Sequence, residues 1–182
     1  LCFAGFVSYV FLYTPLKTRT PWAVFVGAFP GAIPPFLGAI AATNEFGFLP
    51  GILFFVQFTW QFPHFWAIAW VTHDDYQKAG FNLLPSANGK SKQSAFQIML
   101  YSLALIPFSL TPWVFNWTGD ATFVIASLLG IFFFYYAFNL FLNLQDSDAR
   151  KLIFASSHCK VSFSAKILTG IKNWNEVLSL LR

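Results

Sequence analysis

The stretch Trp60-Gln61-Phe62-Pro63-His64-Phe65-Trp66, running on through Ala67-Ile68-Ala69-Trp70-Val71-Thr72 into His73-Asp74-Asp75-Tyr76, decides how this chain is built. It forms the second half of an apolar run over residues 49–72, and about 20 apolar residues are enough to cross a bilayer as a helix. Gln57, Gln61 and His64 interrupt that run, and two adjacent carboxylates end it. A charged group at mid-membrane costs about 2.5–3.5 kcal/mol on insertion scales, so polar residues placed there point to a function. An acidic pair where a span leaves the bilayer suits a divalent cation and, through it, a phosphate.

Composition sets the same frame for the rest of the chain. Of its residues 57% are hydrophobic, 21% aromatic and only 10% charged, whereas soluble domains carry about 25% charged residues. Such a chain cannot cover itself with polar surface and reads as an all-α, multi-pass bundle of membrane helices. Candidate spans are residues 22–42, 49–72, 94–115 and 121–143, with residues 1–14 as the end of an earlier span. Cys2 and Cys159 form no C-x-x-C pair, so neither a disulfide framework nor a zinc site is indicated. The net charge of +4 does not point to nucleic acid; membrane topology explains it better.

The loops are of two kinds. One kind holds Lys17 and Arg19, then Lys78, Lys90 and Lys92, then Arg150 and Lys151. The other kind, residues 43–48 and 116–120, has no Lys or Arg and carries Glu45 and Asp120. They alternate along the chain, so the positive-inside rule puts the basic loops on the cytoplasmic face. Tyr13, Lys17, Asp74 and Asp75 fall on that face. Gly27, Pro30, Gly31, Pro34 and Pro35 are expected to break up the span 22–42. Residues 82–94 read as a polar loop, and no internal repeat is visible. After Ala155 the chain turns polar and no further span is expected; residues 167–181 have the spacing of an amphipathic surface helix.

Three constellations could support chemistry. Gln57, Gln61, His64 and Asp75 are separated by 4, 3 and 11 residues, which places all four within a narrow arc of one helix, expected to face the bundle interior. His64 and Asp75 would lie about 16 Å apart along that axis. In the alternative reading, Gln61 and His64 are neutral groups bonded to neighbouring helices. Asp74 and Asp75 suit magnesium, which keeps waters and takes one or two carboxylates plus substrate phosphate oxygens; otherwise they mark a solvated helix end. Tyr13 and Lys17 sit four apart at a span end. Lys17 with Arg19 could hold a diphosphate and the Tyr13 ring could face a carbocation, or all three could be interfacial anchors.

Tyr13-Thr14-Pro15-Leu16-Lys17 resembles the Y-x-x-x-K motif of the UbiA-type intramembrane prenyltransferases. Thr20-Pro21-Trp22, Gly31-Ala32-Ile33-Pro34-Pro35, the W-Q-x-P-H run at Trp60–His64 and the D-D-Y-x-x-A-G run at Asp74–Gly80, followed by Leu84-Pro85, resemble the haem-farnesylating branch of that family over residues 1–155. The resemblance implies a bundle of about nine spans, of which about five would be present here, around a cavity open to the cytoplasm in a bacterial inner membrane. It implies transfer of a farnesyl group from farnesyl diphosphate to a vinyl group of haem B, giving haem O, with Mg2+ bound alongside the diphosphate and haem as substrate. Asp74 and Asp75 would be the second aspartate-rich, metal-binding motif. Tyr13 would shield the cation. Lys17 would bind diphosphate, with Arg19 beside it, His64 would contact the porphyrin, and Gln61, Tyr76 and Lys78 would belong to the substrate-binding set. A haem A synthase or a terminal-oxidase assembly protein would be the partner. The first aspartate-rich motif, N-D-x-x-D-x-x-x-D, and the spans around it are not in these 182 residues, and residues 156–182 depart from the family as a divergent tail. The expectation is that these residues alone are inactive. The rival readings are a prenyltransferase for an aromatic quinone precursor and a transporter using the polar stripe.

Overall fold

The structure, a computed structural model, describes residues 2–16, 20, 23–44, 46–81, 83–86 and 88–170. Among them there are helices and loops and no strand. Helix α1 (Cys2–Val7) runs into a π-helical turn (Ser8–Tyr13) and then α2 (Thr14–Leu16). Helix α3 (Ala23–Thr43) follows, then α4 (Phe48–Val71), the short α5 (His73–Lys78), α6 (Lys92–Val114), α7 (Asp120–Asn143) and α8 (Asp146–Gly170).

The boundaries follow from local chemistry. Ser91 caps α6 by accepting the Ser94 N–H at 3.3 Å, one of the orphan donors that every helix start exposes. The turns at the other end of the bundle hinge on Asn44 and Asn116, both with φ near +60°, a region that asparagine enters more readily than most residues. Pro30, Pro34 and Pro35 do not break up α3, as the sequence suggests they would, and Pro63 does not end α4. In a bundle, neighbouring helices and local adjustments satisfy the carbonyls that a proline frees.

Helices α3, α6 and α7 are long and apolar enough to cross a membrane, and the chain is an integral membrane protein. Helix α4 is 24 residues long, about 36 Å at 1.5 Å per residue, but its glutamines, histidine and proline keep it out of that apolar set. Its position accounts for this. Helix α4 packs against α3, α6 and α8, while α7 closes the ring between α6 and α8, so the polar groups of α4 face protein on three sides.

Small residues line the contacts. Ala95, Ile98, Ser102, Leu105 and Ser109 form the buried stripe of α6; Ala126, Phe133, Ala137 and Leu140 that of α7; Ala149, Leu152, Ala155, Ser156 and Cys159 that of α8. In lipid, apolar burial alone does not drive helices together, and small side chains allow the close approach that does. Phe25, Phe29, Phe55, Phe132 and Phe138 remain on the outside, where a hydrocarbon solvent would meet them. Helix α8 continues without interruption past Ala155, and buried Ser156 and Cys159 hold its packing there. The Cys159 thiol donates to the Leu129 carbonyl at 3.3 Å.

Candidate functional site

At the end of the bundle where α4 and α7 finish and α6 and α8 begin, the described loop residues after Phe81 are tied down. Lys90 Nζ lies 2.9 Å from both carboxylate oxygens of Asp146, and Ser94 Oγ donates to the Gly89 carbonyl at 2.8 Å. Gly89, at φ +64°, gives room to the His73 ring: a Cβ there would lie 2.6 Å from His73 Nε2. The loop thus rests on the residue that opens α5.

Helix α5 exists because Thr72 lets the chain leave α4 and restart, and its first turn is acidic, where carboxylates favour the helix dipole. Asp74 and Asp75 are both exposed. Lys78 Nζ stands 3.6 Å from Asp75 Oδ1, with both side chains about four-fifths exposed, a loose ion pair. The ring of Tyr76, the next residue, turns inward to a cavity of about 230 Å³. Tyr9 and Tyr13 from the π-helical turn, Gly27 from α3, Phe65, Ile68 and Ala69 from α4, and Leu83 complete most of its wall. Tyr13 stacks on Tyr9 with ring centroids 5.0 Å apart and 23° between planes. Isolated π-helical turns are rare and cluster at functional sites, and this one ends on Tyr13.

The polar stripe of α4 divides between two neighbours. Gln61, only 3% exposed, donates from Nε2 to the Ala28 carbonyl of α3 at 3.0 Å and to its own helix at Gln57 O at 3.3 Å. Its amide sits against Gly31, where any Cβ would collide with Oε1. His64 turns the other way, to α8. Its Nδ1 lies 2.6 Å from Ser156 Oγ, and Ser156 in turn donates its hydroxyl to the Ile153 carbonyl at 2.7 Å. Ser156 has one proton to give, so an Nδ1–H on His64 donating to the Ser156 oxygen satisfies both contacts. Trp60 stacks on His64 at 4.5 Å and donates from Nε1 to the Ser156 carbonyl at 3.0 Å. Lys160 Nζ lies 4.5 Å over the Trp60 ring.

Of the residues singled out from sequence, the structure brings Tyr13 and Tyr76 to one cavity and places Asp74, Asp75 and Lys78 on the helix that bears Tyr76. Gln61 lies one turn below Phe65, on the α3 side; His64 belongs to the α4–α8 contact. Lys17 and Arg19 lie outside the described residues, as does most of the stretch 167–181. Sequence reasoning missed Tyr9, Gly27, Leu83 and Ser156. Tyr9 had a signal, its spacing of four from Tyr13; Gly27 and Ser156 act through neighbours distant in the chain, which spacing does not reveal.

An integral helix bundle with an aromatic-walled cavity, and an acidic pair on the short helix that supplies one of its rings, suits a membrane transferase. The chain belongs to the UbiA prenyltransferase family, whose pattern it matches over residues 1–158. Among particular relatives, the protoheme IX farnesyltransferase of Cytophaga hutchinsonii is 49% identical over 156 residues, covering 86% of this chain and 54% of that protein. The protoheme IX farnesyltransferase of Christiangramia forsetii is 51% identical over 153 residues, 81% of this chain and 50% of its own length. That of Flavobacterium psychrophilum is 48% identical over the same coverage. This chain therefore spans about half the length of the curated relatives it matches. No solved structure matches it.

Proposed function

We propose that this chain forms the half of a protoheme IX farnesyltransferase that bears its second aspartate-rich motif, in an enzyme that joins a farnesyl group from farnesyl diphosphate to a vinyl group of haem B and yields haem O. One observation supports this most: the acidic pair Asp74-Asp75 stands on the short helix whose next residue, Tyr76, lines the same apolar cavity as Tyr13. The relatives' identity as protoheme IX farnesyltransferases supports the choice of substrates.

The chemistry assigns these residues distinct tasks. Breaking the farnesyl C1–O bond sends its electron pair away with the diphosphate and leaves an allylic cation. The faces of Tyr13 and Tyr76 would stabilise that cation, an attraction worth about 2 kcal/mol or more when desolvated. The terminal vinyl carbon of haem B attacks C1 and forms the new C–C bond. The cation so created beside the porphyrin takes the oxygen of a water molecule, which then loses a proton, giving the hydroxyl-bearing side chain. Phe65, Ile68 and Leu83 surround the cavity with apolar surface, which would hold the isoprenoid and keep water from the first cation.

Asp74 and Asp75 offer hard, exposed oxygens, those of Asp75 held only loosely by Lys78, a donor set that fits Mg2+ shared with phosphate oxygens. A divalent cation bound there supplies charge neutralisation for the departing diphosphate. Lys78, with Lys17 and Arg19, would add positive charge on the same face. That face would be the cytoplasmic one, on the distribution of Lys and Arg among the loops, and the family resemblance supports a bacterial inner membrane. A haem A synthase or an oxidase-assembly protein would receive the product.

The test is turnover of haem B and farnesyl diphosphate by the full-length gene product, with haem O and a prenylated quinone precursor both assayed. Asp74→Asn and Asp75→Asn should each lower haem O formation by about 10²-fold or more, the scale for removing one charge-stabilising group, while membrane insertion is retained. Wild-type rates in both variants would dismiss the metal role, and a prenylated quinone as sole product would dismiss the haem substrate.

A further inference from the structure

We infer that Gly27 is a positioning residue for Tyr13: the missing side chain on α3 is the seat that fixes the tyrosine ring at the cavity wall. The inference rests on the proposed transferase reading and adds to it a residue without chemical function of its own.

A Cβ on Gly27 would lie 2.7 Å from Tyr13 Cδ2 and 2.8 Å from Cε2, well inside the separation of about 3.5–4.0 Å at which carbon atoms attract. The ring therefore occupies the space that any other residue's side chain would fill. On another side Tyr9 stacks on the ring, so the tyrosine is confined between the two. Gly27 and Tyr13 both line the 230 Å³ cavity, and a methyl at position 27 turns the ring into that space. The turn that ends on Tyr13 is π-helical and packs against α3, which brings the ring onto Gly27.

A second glycine repeats the arrangement one turn along the same face. A Cβ on Gly31 would collide with Gln61 Oε1. Gly38, further along α3, has nothing within 4 Å of the place a Cβ would take. Of these three glycines of α3, only Gly27 lines the cavity, and Gly38 provides an internal control.

The experiment measures kcat and KM for farnesyl diphosphate, with haem B as acceptor, in the full-length gene product. The variants are Gly27→Ala, Tyr13→Ala, the double variant and Gly38→Ala, and thermal stability in detergent is recorded for each. Gly27→Ala should lower kcat by about 10- to 100-fold, the usual consequence of misplacing a reacting group by about 1 Å. KM should stay within about threefold, because ground-state binding is not what is lost. Gly38→Ala should match wild type. In the Tyr13→Ala background, Gly27→Ala should change kcat by less than about twofold. If Gly27→Ala also lowers stability, removing the tyrosine ring should restore it, since the overlap is then gone. Wild-type kcat in Gly27→Ala, or losses that multiply in the double variant, would overturn the positioning role and leave that of Tyr13 standing. Wild-type turnover in Tyr13→Ala would overturn both.

Discussion

Removing the Ser156 hydroxyl should weaken the junction of α4 and α8 by a measurable and separable amount. Ser156 is fully buried, and its Oγ is the partner of His64 Nδ1 at 2.6 Å. Ser156→Ala leaves the Trp60 Nε1 bond intact, because that bond ends on the backbone carbonyl. What disappears is one interhelical hydrogen bond, worth about 0.5–1.5 kcal/mol net, and the half-buried His64 N–H is left without its partner, which adds to the loss. Interhelical bonds in membranes average about 0.6 kcal/mol by double-mutant cycle, so a total near 1–2 kcal/mol is expected. His64→Phe keeps the stack on Trp60 and leaves Ser156 bonded to Ile153, and should be milder. The assay is unfolding in mixed micelles with both singles and the double, which isolates the coupling. A coupling of about 0.5–1.5 kcal/mol is predicted. Additivity within about 0.3 kcal/mol would mean that His64 and Ser156 are not hydrogen-bonded to each other.

Gly31→Ala should destabilise the bundle by about 1–3 kcal/mol, the range for overpacking, because the Gln61 amide must leave the Ala28 carbonyl; adding Gln61→Ala should recover most of that, and no recovery would point to a different collision. Asp148 gives a pH dependence. The Asn143 amide, donating at 2.8 Å, and Lys151 at 3.2 Å hold its carboxyl below the usual range, outweighing the opposing effect of burial. A carboxyl depressed on folding stabilises the protein fully above its unfolded value and loses that contribution as pH falls through its folded value. Unfolding followed from neutral to acid pH should therefore be less acid-sensitive in Asp148→Asn than in wild type; parallel pH profiles would contradict the assignment.

Most of the helical frame is legible in the chain. The apolar runs at 22–42, 49–72, 94–115 and 121–143 correspond, within two residues at each end, to α3, α4, α6 and α7, because Asn, Gly and Pro punctuate them and lipid demands a minimum length. The prolines of α3 mislead because a proline ends an isolated helix more readily than one packed among neighbours. Helix α8 shows the opposite limit. Hydropathy falls after Ala155, yet serine, histidine and lysine do not stop a helix, and Leu152, Ala155, Ser156 and Cys159 repeat at the spacing of a buried stripe. The site was half visible. Carboxylates at a span end and a tyrosine four residues before a lysine can be seen in one dimension. Which side of α4 each polar group addresses cannot, because α4 has a neighbour on three sides: Gln61 bonds to α3 while His64, three residues on, bonds to α8.

The central claim is that Asp74 and Asp75 on α5 hold a metal-bridged diphosphate at the mouth of the tyrosine-lined cavity. Titration calorimetry of the full-length gene product with an unreactive thiolodiphosphate analogue of farnesyl diphosphate tests it without turnover. Wild type should bind tightly with Mg2+ and lose at least about 30-fold in affinity when the metal is chelated, the lower end for breaking a close charge pair. The doubly substituted Asp74→Asn, Asp75→Asn protein should start near the weakened value and lose far less than wild type on chelation. Tight, magnesium-dependent binding by that variant would contradict the claim.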